Sequence, residues 1–470
     1  MDGLPARQHP YAEYVRMDTL LDLQHPRTGL SAEYEFIILS VSSARSERKG
    51  VVMEELSREA AEERDSGDEL APLRDQFVIA DETIYLDGNS LGRLPASTLD
   101  FLAQVVRDQW GAGLARSWSS WIDWGQRIGD RLAADVLGAE PGEVTLSDST
   151  SVNLYKLATA AVDAVPDRRT IVFDTDDFPT DRYVLQGLAE KRGLRLRGLG
   201  SHPDHGLDLH ELRAALDGDV ALVVLSLVSY RSGALLDMAA VNALARRSGA
   251  LVLWDLSHAV GAVPVHLGDA DADLAVGCTY KYLNGGPGSP AFLYVRRDRQ
   301  SLLRQPIWGW FGQRDQFLMG PGYDPVERID RFLVGTPPVL SLAAVQPGLE
   351  LVCRAGVGRL RRKGVLLGEL VVALADRWLA PHGFRLASPR DPLRRGGHVA
   401  LAHPRAWPLC QALASRAGVV CDYRAPGRLR IAPVPAYTRF VDVWDAMDRL
   451  RGIVERREYE ESPVELSRVT

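Results

Sequence analysis

Apolar and polar positions alternate along the chain in blocks that predict strands separated by helices. Apolar segments predict strands at 83–88, 143–147, 170–174, 221–228, 250–258, 272–283 and 291–295. Helical patterns lie between them at 96–114, 122–137, 151–164, 179–192 and 238–248. The near-continuous apolar runs at 221–228 and 250–258 are typical of strands buried on both faces. This alternation predicts an α/β fold with a mostly parallel sheet covered by helices.

The chain also divides into segments of different composition. We expect residues 76–340 to form a large domain and residues 341–470 a smaller α+β domain that begins with helices at 342–355 and 358–380. Residues 44–75 are charge-dense and weakly apolar, which predicts a charged linker or an exposed helix. Residues 1–43 form a separate, more apolar stretch.

Composition and charge exclude several classes of function. The chain has 55 Lys and Arg against 62 Asp and Glu, a formal net charge of −7, which gives no electrostatic footprint for nucleic acid or an anionic membrane. No apolar run approaches the ~18 residues that span a bilayer, and the first residues lack the order of a signal peptide. The four cysteines have no C-x-x-C spacing, which predicts reduced thiols, no metal site and a cytoplasmic protein.

Two residues at predicted strand ends carry the strongest chemical signal, because ligands of such sheets bind beyond the carboxyl ends of the strands. Asp255 ends an apolar strand, where a buried carboxylate needs a cationic partner such as a protonated pyridine nitrogen. Lys281 is one of only five lysines and lies between two tyrosines, a setting that suits Schiff-base chemistry. A loop or capping Asp and an exposed Lys are the alternative interpretations.

Three further motifs are weaker alone. Thr150 and Ser151 open a predicted helix whose free N–H groups suit a phosphate, although an ordinary helix cap explains them as well. Phe178 and Asp181 of FPTD could stack on a ring and accept a hydrogen bond, or only begin a helix. Arg430 lies on a predicted strand of the small domain and could bind a carboxylate with two hydrogen bonds.

Taken together, these motifs resemble the kynureninase family of pyridoxal-phosphate-dependent enzymes. They occur in the family's order, as YLDGNSLGRLP, RSWSSWIDW, DSTSVNLYK, FPTD, WDLSHAVGAVP, TYKYLNGGPGSPAFLYV, GWFG, GTPP and LRIAPVPAY, and they span nearly all of the main region. The resemblance implies the pyridoxal-phosphate-dependent transferase fold type I, with a mostly parallel seven-stranded sheet in the large domain. It also implies hydrolysis of the Cβ–Cγ bond of L-kynurenine, or of a substituted kynurenine, to alanine and an anthranilate.

Carried over position by position, the resemblance implies a role for each motif residue. Lys281 would bind the cofactor aldehyde, Asp255 would pair with the pyridinium nitrogen, and Tyr280 would assist catalysis. The other residues implied at the cofactor are Thr150, Ser151, Phe178, Asp181, Ser226, His258, Trp310 and Thr336. The residues implied at the substrate are Asn89, Ser90, Trp118 and Arg430. The family completes its site across a subunit interface, so we expect a homodimer.

Two departures from the animal members of the family favour the bacterial type, which acts on unsubstituted L-kynurenine. Animal enzymes that prefer the 3-hydroxylated substrate carry a His after the first long helix and an Asn in the GTPP motif. This chain has WGAGLARSW at the first position and Thr336 at the second. The rival interpretations are a cysteine desulfurase or class V aminotransferase on the same fold, and a catalytically silent scaffold.

The N-terminal stretch carries a second resemblance. Residues 11–40, with the segment LLDLQHP, are similar to the start of tryptophan 2,3-dioxygenase, and His25 matches a haem-pocket residue of that enzyme. Thirty residues cannot build a haem pocket, so we interpret residues 1–43 as a fusion remnant. The remnant still points towards tryptophan breakdown.

Overall fold

The computed structural model describes residues 56–79 and 82–461, and all strand and helix bounds below refer to them. The strands are β1 Ile84–Tyr85, β2 Val144–Leu146, β3 Thr170–Asp174, β4 Arg195–Leu199, β5 Val220–Ser226, β6 Leu251–Asp255, β7 Leu274–Gly277, β8 Phe292–Val295, β9 Arg385–Leu386, β10 Val399–Ala402, β11 Val419–Val420, β12 Asp422–Arg424 and β13 Arg428–Ile431. The predicted remnant 1–43, with His25, lies outside the described residues.

Helices alternate with groups of these strands along the chain. They are α1 Arg58–Ser66, α2 Ser97–Gln104, α3 Trp118–Trp121, α4 Trp124–Leu132, α5 Thr150–Asp163, α6 Pro179–Arg192, α7 Leu209–Ala215, α8 Met238–Ser248, α9 Arg297–Gln300, α10 Val339–Ala355, α11 Val357–Leu374, α12 Ala406–Ala417 and α13 Phe440–Glu455. Wider helical turns continue α2 through Val105–Gly113, α4 through Ala133–Leu137 and α11 through Ala375–Leu379. None of the helices within the described ranges combines the length and the apolar character that a membrane span requires.

A seven-stranded sheet forms the centre of the large domain, in the order β2-β8-β7-β6-β5-β3-β4. Strand β8 runs antiparallel to both of its neighbours, and the pairings among β3 to β7 are parallel. Val223 and Trp254 point into one apolar core, and Leu222 and Leu253 point into the core on the opposite face. The prediction of a mostly parallel sheet buried on both faces is confirmed.

The strand β4 is the main element that the sequence pattern did not reveal. It lies at the edge of the sheet and reads RLRGL, so most of its side chains are exposed or partly exposed. An edge strand has no need of a continuous apolar run, and none is present to predict it. By contrast, β3, α6 and α8 have the bounds predicted from their apolar patterns.

The small domain is built on an antiparallel sheet in the order β12-β13-β10-β9. Strand β1 pairs with β11, with Ile84 opposite Val419, so this strand joins the small domain instead of the large one. Helix α1 packs on α13, where the Asp65 carboxylate accepts hydrogen bonds from the backbone N–H groups of Phe440 and Val441 at 2.7 and 2.9 Å. These bonds satisfy free N–H groups at the start of α13.

Two further segments lie near the predicted domain bounds. The described part of the predicted linker 44–75 folds onto the small domain, because Ala61 fills its core and Lys363 pairs with Asp68 at 2.7 Å. At the other boundary, α10 packs into the core of the large domain through Leu342 and Leu349. After Ala61, Ile84 and Leu86, the core residues of the small domain resume at Leu367, within α11.

Candidate active site

The carboxyl ends of β3, β5 and β6 place polar side chains side by side. Strands β5 and β6 pair in register, with Ser226 directly opposite Asp255. The backbone N–H of Ser226 donates to the Asp177 carboxylate at 3.2 Å, and the N–H of Ser257 donates to Asp255 at 2.7 Å. Because β5 and β6 are parallel and buried, their polar ends open together at one edge of the sheet, as expected for a ligand site.

A cavity of about 170 Å³ lies at this edge. Its walls are formed by Ser149, Thr150, Ser151, Phe178, Thr180, Asp181, Ser226, Val228, Tyr230, Asp255, Ser257, His258, Tyr280 and Lys281. Nine of the predicted cofactor residues are among them, namely Thr150, Ser151, Phe178, Asp181, Ser226, Asp255, His258, Tyr280 and Lys281. The structure thus brings together residues that are far apart in the sequence, such as Thr150 and Lys281, which are 131 positions apart.

The Lys281 amine is held beside a buried imidazole. Its Nζ lies 2.9 Å from Nε2 of His258. Burial first, and then the charge of Lys281, hold the pKa of His258 well below its usual value, so the ring is neutral near pH 7. A neutral imidazole can accept a hydrogen bond from the ammonium group. His258 therefore contacts the Lys281 amine without adding a second positive charge beside it.

A close approach of two backbone segments fixes the position of this lysine. The N–H of Gly92 donates to the carbonyl of Tyr280 at 2.8 Å. A Cβ atom on Gly92 would lie 2.2 Å from the carbonyl oxygen of Lys281, so only glycine fits there. This contact brings the GNSLG loop, with Asn89 and Ser90, against the segment that carries Lys281.

Two buried carboxyl groups lie at this edge of the sheet, Asp181 on the cavity wall and Asp177 at the backbone N–H of Ser226. Burial first, then the neighbouring Asp255 and Asp177, raise the pKa of Asp181 well above its usual range. Burial and Asp174 do the same for the pKa of Asp177. One oxygen of Asp181 is buried and receives no hydrogen bond from the described part of the chain. Since buried carboxylates need a cationic or donor partner, the site is suited to a ligand that brings a protonated nitrogen.

The remaining walls fit the other parts of pyridoxal phosphate. Ser149 caps the N-terminus of the 14-residue helix α5, and the hydroxyl groups of Thr150 and Ser151 line the cavity next to its free N–H groups. Phe178 meets Tyr230 edge to face at 5.4 Å between ring centres and is 43% exposed, which leaves a ring face for stacking. An aldehyde next to Lys281, a ring nitrogen next to Asp255 and a phosphate at α5 are therefore all accommodated.

The other predicted residues do not line this cavity in a single chain. Arg430, Asn89 and Ser90 form a buried cluster with Asp422, and Arg430 donates to the carbonyl of Tyr230, which does line the cavity. The exposed side chains of Trp118 and Trp310 lie outside it, at 38% and 40% exposure. Thr336 borders a different and larger cavity.

Sequence reasoning missed three residues of this region: Asp177, Tyr230 and Asp422. Asp177 stands in DTDDFPTD, where four acids around the end of one apolar strand were a usable signal. Tyr230 follows β5 by four residues and carries no motif that predicts its place. Asp422 is found only through strand pairing, because β12 places it directly opposite Arg430 on β13.

Comparison with solved structures assigns the fold. A cysteine desulfurase from Thermococcus onnurineus NA1 matches with a TM-score of 0.72 and 20% identity, covering 82% of this chain and 98% of that one. A C-DES variant with glycine covalently linked to its pyridoxal-phosphate cofactor matches with a TM-score of 0.71 and 18% identity, covering 80% and 98%. The chain therefore has the fold type I, class V aminotransferase architecture of pyridoxal-phosphate-dependent enzymes.

Sequence comparison assigns the family. Residues 360–450 match the model of the kynureninase C-terminal domain. A kynureninase from Pseudomonas fluorescens is 46% identical over 401 residues, which cover 84% of this chain and 94% of that protein. A kynureninase from Burkholderia pseudomallei (strain 1106a) is 44% identical over 407 residues, covering 85% and 96%. The chain belongs to the kynureninase family, and the predicted family is confirmed.

Proposed function

We propose that this chain hydrolyses the Cβ–Cγ bond of L-kynurenine to anthranilate and L-alanine, as a step of tryptophan breakdown. The observation that carries the proposal is that Lys281 and Asp255 line the same small cavity. An amine for the aldehyde and a carboxylate for the ring nitrogen, both within one cavity, are what a pyridine aldehyde requires. Relatives named kynureninase, at 44–46% identity over most of the chain, support the choice of substrate.

Lys281 carries the proton transfers at the substrate carbons. When bound, pyridoxal phosphate supplies an electron sink that stabilises negative charge next to the substrate amine. Lys281 Nζ, 2.9 Å from His258, is the amine on the cavity wall that can remove the α-proton and return it elsewhere. Asp255 stabilises positive charge on the ring nitrogen by its own negative charge. These roles account for the polar side chains that line the cavity.

Tyr280 serves the later step, in which water adds to the γ-carbonyl carbon of the substrate. Burial raises the pKa of the Tyr280 phenol well above its usual value, so the hydroxyl keeps its proton near neutral pH. A protonated phenol donates a hydrogen bond to the carbonyl oxygen and stabilises the charge that develops there. The raised pKa therefore favours Tyr280 as a donor over Tyr280 as a base.

The cysteines argue against a desulfurase, although solved desulfurases share the fold. That chemistry requires a thiol that ionises readily and can reach the substrate. Cys278, Cys410 and Cys421 are buried, and burial raises the pKa of the partly buried Cys353 to about 11. None of the four lines the cavity around Lys281.

The first prediction tests the reaction itself. Purified protein supplied with pyridoxal phosphate should release anthranilate and alanine in equal amounts from L-kynurenine, and it should turn over 3-hydroxykynurenine less efficiently. The ring preference is inferred from Thr336 in the GTPP motif. Anthranilate is followed by its fluorescence and alanine by amino-acid analysis. Cysteine serves as the control substrate, and sulfide release from cysteine without anthranilate release from kynurenine would contradict the proposal.

We also propose that the protein is a homodimer whose subunits complete each other's sites. Trp310 and Thr336 lie outside the cavity of their own chain, so a second copy is needed to bring them to a cofactor. Trp310 belongs to a segment with unusually exposed apolar side chains, namely Ile307, Trp308, Trp310, Phe317, Leu318 and Met319. Apolar side chains exposed so close together mark an interaction surface.

Leu318→Arg is expected to weaken this dimer. The side chain is 78% exposed in one chain, so an arginine is tolerated by the fold but buries a charge in the interface. Sedimentation velocity should show dissociation at concentrations where the parent protein is dimeric, with weaker cofactor binding. Leu366→Arg, at a 50% exposed leucine on α11 of the small domain, is the matched control and should remain dimeric. A Leu318→Arg protein that stays dimeric and retains its cofactor would refute this surface.

A cytoplasmic location without nucleic-acid or membrane partners completes the proposal. It is supported by the net charge of −7 and by four cysteines that form no disulfide. A reducing compartment is where such thiols persist.

A further inference from the structure

A buried carboxylate holds Arg430, the arginine that the family resemblance implies at the substrate. Arg430 and Asp422 are almost completely buried, at 1% and 0% exposure, and they face each other across β13 and β12. Nε of Arg430 donates to Oδ1 of Asp422 at 2.6 Å, and Nη2 donates to Oδ2. This is the two-bond geometry in which the planar guanidinium matches a carboxylate.

The pairing decides which N–H groups of the guanidinium are left for a ligand. An arginine side chain has five N–H donors. Two of them bond to Asp422 and one, on Nη1, bonds to the carbonyl of Tyr230, in the described part of the chain. One N–H on Nη1 and one on Nη2 remain. These two N–H groups are available to bind a second carboxylate with two bonds.

We propose that Asp422 is a positioning residue that directs the remaining N–H groups of Arg430 towards the substrate's α-carboxylate; the inference rests on the proposed function and on the substrate role that the family resemblance implies for Arg430. Tyr230 connects the pair to the site, because its carbonyl accepts from Arg430 while the residue lines the cofactor cavity. Asp422 acts through the arginine and does not touch the substrate.

The residues that contact Asp422 support the same positioning role. Its Oδ2 also pairs with Arg424 at 3.1 Å and accepts from the hydroxyl of Ser90 at 3.1 Å. With its amide turned to satisfy both neighbours, Asn89 donates to Asp87 at 3.1 Å and accepts from Nε of Arg430 at 3.3 Å. Asn89 and Ser90, predicted at the substrate, thus connect the GNSLG loop beside Lys281 to the arginine.

A purely stabilising role explains this pair less well. Buried ion pairs contribute little net stability, because the cost of removing both charges from water offsets their attraction. Burial first, and then the charge of Asp422, raise the pKa of Asp87 to about 7, so a second buried acid in the cluster is not stabilising either. The arrangement fixes the direction of Arg430, which matters for a bound carboxylate whose α-carbon must be held in one orientation.

The test compares the binding of two ligands to the Asp422→Asn protein. The asparagine preserves shape but loses the charge and one of the two acceptors. Binding is measured by titrating the cofactor absorbance with L-kynurenine and with the amine that lacks its α-carboxylate. We expect L-kynurenine to bind at least about tenfold more weakly. The decarboxylated amine should bind within about twofold of its affinity for the parent protein, since it makes no use of Arg430.

Asp204→Asn is the matched control. Asp204 is buried and pairs with Arg428 at 2.8 Å on the same strand as Arg430, but its ion pairs are with Arg428 and Arg385 and not with Arg430. This variant should lose a similar amount of stability and leave the preference for the carboxylate unchanged. If Asp422→Asn weakens the binding of both ligands equally, or of neither ligand, the inference is overturned.

Two further variants separate the inference from the proposed function and from a folding defect. Arg430→Lys should weaken the binding of L-kynurenine but not that of the decarboxylated amine. If it does not, the substrate role of Arg430 is wrong. If it does while Asp422→Asn has no effect, only the positioning role fails. Should Asp422→Asn not fold, Asp422→Glu retains the charge but displaces the acceptor, and we expect L-kynurenine to bind at least about threefold more weakly. Unchanged affinity in that variant would also overturn the inference.

Discussion

Lys281→Ala is expected to abolish turnover, with kcat lower by at least about 10³-fold. The other described lysines cannot substitute for it. Lys156 is buried and donates to Asp148 and to the carbonyl of Phe332, both at 2.8 Å. Lys363 pairs with Asp68 at 2.7 Å in the small domain, and Lys191 is exposed in the last turn of α6. No amine from these positions can reach the cavity.

The measurement combines activity with covalent trapping. Borohydride reduction of the protein with bound pyridoxal phosphate, followed by peptide mass analysis, should place the cofactor on the peptide that contains Lys281. The Lys281→Ala protein should show no such product and should retain its fold in circular dichroism. Lys191→Ala is the control, and it should match the parent protein in both assays. Trapping at another lysine, or turnover within about tenfold of the parent protein, would contradict the assignment.

The core of this site could be predicted from sequence because its chemistry lies at strand ends. Apolar runs located β5 and β6, and parallel strands bring their carboxyl ends to one edge. Asp255 and Lys281 were therefore predictable as neighbours from the order of the strands along the chain. The bounds of α6 were equally clear, since Pro179 suits a first helical turn and Gly193 follows its last residue with a positive φ of 63°.

Two kinds of feature remained beyond sequence reasoning. Asp422 acquires its meaning only from the antiparallel pairing that sets it opposite Arg430, and no periodicity along one strand reveals its partner on another. In the proposed homodimer a second copy of the chain brings Trp310 and Thr336 to the cofactor, and the pattern of a single chain does not reveal that arrangement.

Asp255→Asn should reduce kcat by about 10²- to 10³-fold and weaken cofactor binding, because it removes one partner of a buried charge pair. The amide has the shape of the carboxylate but cannot balance a positive charge on the ring nitrogen. Without that balance the ring is a poorer electron sink. Steady-state kinetics at saturating pyridoxal phosphate separate the loss in kcat from the loss in cofactor affinity.

Asp181→Asn supplies the comparison that makes this prediction specific. Both carboxyl groups line the same cavity, but burial and the neighbouring Asp255 raise the pKa of Asp181, which favours its neutral, protonated form. A neutral acid and an amide differ little in charge, so Asp181→Asn should lower kcat by less than about tenfold. Equal damage from the two substitutions would mean that the negative charge is shared between the carboxyl groups. If only Asp255→Asn lowers kcat strongly, the negative charge that stabilises the ring nitrogen lies on Asp255.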